Sequence, residues 1–297
     1  MSILVFGSMN IDRTFYLPHF LLPGETLQSK DLTVHAGGKG ANQAVALAKA
    51  GAQVSMAGTI GSDGIWIKGL LENYGVDISL IQDKKTLQTG TADILVDDKG
   101  NNGIVLYGGG NQANDTQYID QVFSKCNKGD WVVFENEINN LAYLFAKAVE
   151  HQLKICFNAS PMEESLLSLP LDTVNLLVVN EIEGAALAGN KGSYNEILGH
   201  LVKNFPSTEI LLTIGKEGSL YGYHDIRLAC PIVEATVRDT TAAGDTFLGY
   251  FLAMRANGFD VTKSMTEATK ASAITVSRLG SMDSIPSRRE LEIVLGK

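Results

Sequence analysis

Along this chain, short continuous apolar runs alternate with stretches whose apolar residues recur at helical spacing. The runs Ile3–Phe6, Val54–Ile60, Trp131–Phe134, Lys154–Phe157, Leu176–Val179 and Ile210–Ile214 are sharply bounded by polar or small residues and predict buried strands. Between them lie helical patterns. One carries the small face Ala41, Ala44, Val45 and Ala48 and is closed by Gly51; others run from about Ile65 to Tyr74, from Leu141 to Val149 and from Tyr194 to Val202. Phe247, Tyr250, Phe251 and Met254 predict a further helix with one buried face, and a closing helix runs from about Thr262 to Ser277. Strand and helix in alternation predict an α/β fold, with a parallel sheet covered by helices on both faces.

Two stretches break this rhythm. Phe15 to His35 is interrupted by Pro18, Pro23 and Gly24. Thr89–Val96 and Gly103–Tyr107 are β-like runs joined by the polar segment 97–102. Together they predict a small separate sheet of partly exposed strands.

Each strand of the main pattern ends in polar residues: Asn10 and Asp12 after the first, then Glu135-Asn136-Glu137, Asn158, Asn180-Glu181-Ile182-Glu183 and Gly215-Lys216-Glu217-Gly218. A single group of this kind ordinarily caps a helix or closes a turn. Several at successive carboxyl ends converge on one rim, where parallel sheets bind ligands.

Two helix starts are unusually bare. His35-Ala36-Gly37-Gly38-Lys39-Gly40-Ala41-Asn42-Gln43-Ala44 and Asp239-Thr240-Thr241-Ala242-Ala243-Gly244-Asp245-Thr246 both leave unpaired amides where an anion can approach closely. A carboxylate among such amides repels a phosphate unless it takes a proton from the group attacking that phosphate, so Asp245 reads as a general base. An isolated Asp here would more often only favour the helix start, and Lys39 alone could be a solvated lysine. Neither the Walker spacing nor the dinucleotide glycine spacing is present, because Gly40 follows Lys39 and the first strand lacks Gly-x-Gly-x-x-Gly.

Composition narrows the partners. With 297 residues, 45% hydrophobic and only 7 Pro, the chain can build one large core or two modest ones. A formal net charge of −9 and no basic run longer than Arg288-Arg289 argue against nucleic acid. No apolar run reaches the roughly 18 residues of a membrane span, and the N-terminus reads as a strand rather than a leader. The odd number of cysteines, Cys126, Cys156 and Cys230, supports neither a disulfide framework nor a zinc site and fits a reducing cytoplasm.

At this point Gly7-Ser8-Met9-Asn10-Ile11-Asp12, Gly37-Gly38-Lys39-Gly40-Ala41-Asn42-Gln43-Ala44, Asn180-Glu181-Ile182-Glu183 and the segment 239–246 together resemble the PfkB carbohydrate kinases, in particular their ribokinase branch. The likeness runs through nearly the whole chain in the right order. It implies a ribokinase-like three-layer sandwich in one domain over residues 1–297, with a β-lid from about 13–35 and 88–108 that also tends to mediate a homodimer. It implies ATP-dependent phosphorylation of the 5-hydroxyl of D-ribose; a related kinase for deoxyribose, fructose or a nucleoside, or a non-catalytic sugar-binding protein, are the alternatives.

By the same resemblance, Asn10, Asp12, Gly38, Lys39, Asn42 and Glu137, rather than nearby Glu135, would hold the sugar, and Asp245 would deprotonate it. The amides of Ala242, Ala243, Gly244 and Asp245 would form an anion hole. ATP would lie against Asn180, Thr213, Gly215, Lys216, Gly218 and Gly244, with Thr269 near the adenine. Asn180 and Glu183 occupy an element associated with Mg²⁺ and phosphate. Asp239, Thr241, Thr275, Arg278, Gly280 and Ser284 would surround K⁺, several through carbonyl oxygens.

Overall fold

In a computed structural model that describes residues 1–295, the chain opens with β1 (Ile3–Phe6), a fully buried strand. It leaves the body as the antiparallel pair β2 (Asn10–Tyr16) and β3 (Asp31–Gly37), then returns through α1 (Lys39–Lys49) to β4 (Val54–Ile60), α2 (Ile65–Asn73) and β5 (Asp77–Asp83). A second excursion supplies β6 (Gly90–Val96), parallel to β2, and β7 (Asn102–Tyr107), antiparallel to β6. Next come α3 (Thr116–Phe123), β8 (Trp131–Glu135), α4 (Leu141–Glu150), β9 (Lys154–Asn158), β10 (Leu176–Asn180), α5 (Glu181–Ala188), α6 (Tyr194–Asn204) and β11 (Glu209–Thr213). The hairpin β12 (Ser219–Tyr223) and β13 (Ile226–Cys230) precedes α7 (Ala243–Ala256), α8 (Val261–Val276) and α9 (Arg288–Leu295).

Two sheets result. The nine-stranded sheet has the order β13-β12-β11-β10-β9-β8-β1-β4-β5, parallel throughout except for the β11-β12-β13 edge. Its strands lie between two separate hydrophobic clusters, one centred on α1, α7 and α8 and the other on α3, α4 and α6. That is why its central strands read as unbroken apolar runs. The four-stranded sheet has the order β3-β2-β6-β7.

The structure departs from the periodicity in three places. Asn10 and Asp12 belong to β2, so the smaller sheet carries them instead of a turn after β1. The strand β5 carries no apolar run that periodicity could pick out, because it is an edge strand in which only Ile81 is buried. Finally, α7 does not present one buried face: every residue from Asp245 to Met254 is buried. Its neighbours explain this, since a Cβ on Gly249 would lie 2.4 Å from Ala46 Cβ and 2.9 Å from the Leu47 nitrogen. The backbones of α1 and α7 can approach this closely only over a glycine. Their crossing sets the first turn of α7 against the first turns of α1.

Candidate active site

The first turn of α7 is open. Its N-cap, Ala242, has a left-handed φ of 59° and makes no side-chain capping bond. The amides of Gly244 and Asp245 find no acceptor among the described residues. A Cβ placed on Gly244 would meet nothing within 4 Å. Orphan donors at the positive end of a helix, with space in front of them, form an anion site.

Asp245 belongs to that turn, yet its carboxylate is turned towards α1. Asn42 Nδ2 donates to Oδ2 at 3.1 Å and Gln43 Nε2 donates to Oδ1 at 2.9 Å. Burial pushes the Asp245 pKa up, while Lys39 and the two amide donors pull it down. A carboxylate so placed is a stronger base than one in water and remains ionisable because of its partners.

Opposite it, the smaller sheet supplies Asp12. This side chain lies over Gly37, where a Cβ would sit 1.8 Å from Oδ2, so only glycine leaves room for it. Asp12 Oδ1 is buried and has no hydrogen-bond partner. Burial, reinforced by Glu137 and Asp245, raises its pKa to about 7. An acceptor in this state is suited to a ligand hydroxyl. Asn10, also buried, accepts from Asn111 Nδ2 at 2.7 Å, and Gly90 leaves room for that pair.

Glu135 and Glu137 divide their work. Glu135 is fully buried and accepts from the Ser8 and Glu137 amides, which ties β8 to the turn after β1. Glu137 accepts from Ser8 Oγ at 2.8 Å and approaches Lys39 Nζ at 3.9 Å. Burial pushes both carboxyls above their usual range, helped by Glu137 in the case of Glu135 and by Asp245 in the case of Glu137. Burial alone would discharge Lys39, but Asp245, Glu137, Glu135 and Glu183 around it hold its pKa above the ordinary value. Gly38, with φ 91°, lets the main chain turn against Ser8, Met9 and Asn10 immediately before Lys39. A cavity of about 640 Å³ opens beside this cluster, reaching Asn10 and Glu137 and running out past Tyr107 and Leu169, but it does not reach Asp245.

The residues expected at nucleotide and cations fall in two further groups. Asn180 caps α5: its Oδ1 accepts from the Ile182 and Glu183 amides, and Glu183 accepts from the Asn180 amide and from Asn180 Nδ2. Thr213 ends β11, and the 215–217 turn follows with Lys216 exposed and positive φ at Gly215 and Gly218. Thr269 is buried on α8 with its hydroxyl 3.4 Å from Cys230 Sγ.

Asp239 ties two loops together, accepting from the amide and hydroxyl of Thr241 and from the Gly280 amide at 3.0 Å. The Thr275 hydroxyl is committed to Thr246 and the Ala271 carbonyl, that of Ser284 to the Ser281 carbonyl, and the Arg278 guanidinium to Glu290.

Several contributors escaped the sequence. Gln43 and Asn111 look like ordinary polar residues beside glycine-rich turns. Ser281 Oγ donates to Asn42 Oδ1 at 2.7 Å from 239 residues away, a separation that no local pattern can reveal.

Residues 1–288 match the profile of the pfkB family carbohydrate kinases. The chain is 33% identical to a bifunctional ribokinase/ribose-5-phosphate isomerase A of Fructilactobacillus sanfranciscensis; the match takes in 100% of this chain and 56% of that longer protein. A ribokinase of Cryptococcus neoformans var. grubii solved with ADP superposes with a TM-score of 0.86 at 32% identity, over 98% of this chain and 99% of that one. A ribokinase of Arabidopsis thaliana complexed with ribose and ATP gives 0.87 at 25% identity, over 100% and 99%. The chain belongs to the pfkB family of carbohydrate kinases.

Proposed function

We propose that this protein transfers the γ-phosphoryl group of ATP to the 5-hydroxyl of D-ribose, giving ribose 5-phosphate and ADP. The observation that carries this is the buried Asp245 carboxylate at an uncapped helix start, facing an acceptor wall with an unpartnered carboxylate oxygen on Asp12. The relatives named as ribokinases, one of them holding ribose and ATP, support the choice of acceptor and donor.

In this reading Asn10, Asp12, Gly38, Lys39, Asn42 and Glu137 bind the sugar and orient its 5-hydroxyl. The proton of that hydroxyl passes to Asp245 as the new O–P bond forms, and the bond between the γ- and β-phosphates breaks with its electrons leaving on ADP. The open amides of Gly244 and Asp245 hold the charge on the moving phosphoryl, with that of Ala242 beside them, whereas the Ala243 amide is bonded to the Thr240 carbonyl; Lys39 offsets the surrounding carboxylates. Thr213, Gly215, Lys216, Gly218 and Thr269 hold the nucleotide, with Asn180 beside it. The smaller sheet closes over the sugar and keeps water from competing as acceptor.

Mg²⁺ would enter with the nucleotide phosphates, near Glu183, and supplies charge neutralisation when bound. Among the described residues no group of three His, Cys, Asp or Glu is arranged to hold a metal ion. The loops joined by Asp239 and Gly280 fit a monovalent cation such as K⁺, with Thr241, Thr275, Arg278, Gly280 and Ser284 around it. Exposed Leu32, Val34, Ile104 and Leu106 on the smaller sheet support a homodimer through that surface. The unpaired cysteines fit the cytoplasm.

A coupled assay of ADP release over a panel of ribose, deoxyribose, fructose and nucleosides tests the reading. Ribose is expected to give the highest kcat/KM. Preference for a hexose or a nucleoside would overturn it, as would ribose binding without turnover.

A further inference from the structure

We propose that Gln43 is a positioning residue that holds the Asp245 carboxylate in the orientation needed to take the acceptor's proton. The inference rests on the reading of Asp245 as the base. Of the polar side chains in the first turns of α1, Lys39 stands beside Glu137 and Asn42 is held by Ser281, whereas Gln43 is fully buried against α7. Its Nε2 lies 2.9 Å from Asp245 Oδ1, and its Oε1 is buried without a hydrogen-bond partner.

An amide buried with half its capacity unmet is costly, and a methionine or leucine could fill the same interface without that cost. The single bond that Gln43 makes is therefore what the amide is there for. Asn42 holds the other carboxylate oxygen but also belongs to the sugar wall, so its donors are shared once sugar arrives. Gln43 has no such second duty. A neutral donor also suits the task, because a lysine or arginine there would weaken the base and an acid would repel it.

The charged groups facing this turn are Lys39 from α1, Asp12 from β2, and Glu137 beyond β8, with Glu135 behind it. The helix α8 meets the turn through Ser272 and Thr275, both neutral. Loss of the Gln43 bond therefore leaves the base with one amide donor and one cation.

The test compares the full-length enzyme with Gln43→Met, Gln43→Glu and Asp245→Asn, measuring kcat and KM for both substrates and the pH profile of kcat/KM from about pH 5 to 9. For Gln43→Met, kcat is expected to fall roughly 10- to 100-fold with the sugar KM within about twofold, and the acid limb is expected to move to higher pH. In Gln43→Glu a second carboxylate faces the first, and the limb should move further. An unmoved limb in the folded variants, or a rise in KM with kcat preserved, would overturn the proposal, as would both variants failing to fold, which would mark a packing role. If Asp245→Asn is inactive while the limb stays put, only Gln43 is reassigned. If Asp245→Asn turns over normally, the base itself is wrong.

Discussion

The helices α5 and α7 both carry an acidic residue three positions after the N-cap, Glu183 and Asp245, and both reach the cleft around Lys39, yet they use that residue in opposite ways. In α5 the acid turns back on its own helix: Glu183 and Asn180 exchange hydrogen bonds in a closed capping box. In α7 the N-cap is an alanine in left-handed backbone, the amides stay open, and Asp245 bonds across to α1. A helix start that satisfies itself is a structural end. One that leaves its donors bare and sends its acid elsewhere has electrostatic capacity left for a ligand.

The sharpest way to break this contrast is Asp245→Asn. The substitution removes the proton acceptor with little change in volume, so kcat should fall by roughly 10²–10⁴ while sugar still binds. Turnover within a few-fold of the parent, together with normal ribose binding by calorimetry, would reduce α7 to a second structural start.

The acceptor wall on β2 that faces the open end should also cost stability, in a pH-dependent way. Asp12 titrates near 7 in the folded protein against 3.8 as its ordinary value. Between those two pH values the folded state therefore holds a proton that the unfolded chain has lost. With more protons bound when folded, stability falls as pH rises through that window and levels off above it. Asp12→Asn removes this contribution. Its advantage in unfolding free energy over the parent should grow by about 1–3 kcal/mol between pH 4 and pH 8, although sugar affinity drops. A difference in midpoint that stays constant with pH would contradict the raised pKa.

Gly244→Ala separates space from helix propensity. Nothing stands where the new Cβ would go, and alanine favours a helix over glycine by about 0.5–1 kcal/mol, so the variant should be at least as stable as the parent. The same methyl group would protrude towards the phosphoryl. We expect about a tenfold loss of kcat/KM with a thermal midpoint that is unchanged or higher. Unimpaired activity would mean that the phosphoryl does not approach this amide.

How much of this was legible beforehand follows from what each feature depends on. The strands of the main sheet are continuous apolar runs because both faces are covered, and the bare start of α7 announces itself through glycine and alanine. The start of α1 reads the same way in the sequence but is not bare: its Gly40 and Ala41 amides donate to Ser8, and what approaches closely over Gly40 is the backbone of Gly7 and Ser8. Asp245 could be singled out because it sits where a carboxylate is locally unwelcome. What could not be read is where side chains turn. Sequence spacing gives Asp245 and Glu183 the same apparent role at a helix start, and only the approach of α1 over Gly249 decides that Asp245 meets Gln43. Likewise Asn10 and Asp12 follow β1 so closely that they read as its turn, although pairing with Gly37 and His35 draws them into the other sheet. The edge strand β5 escaped because burial of Ile81 alone leaves little pattern.

The smallest expected effect tests the closed end of the comparison. Asn180 is an expected nucleotide contact, yet its oxygen serves two amides of α5 and its Nδ2 is held by Glu183. If capping is its main task, Asn180→Ala should cost about 1 kcal/mol, and Asn180→Ser, which keeps a capping oxygen, only a few tenths. For a chain of this size, 1 kcal/mol corresponds to about 2–4 °C in the unfolding midpoint, which calorimetry resolves. Both variants should then keep the KM for ATP within about twofold. The informative reversal is a serine variant with parental stability and a clearly raised KM for ATP. That result would show that the α5 box opens when nucleotide arrives, and that the two helix starts differ in degree of occupation rather than in kind.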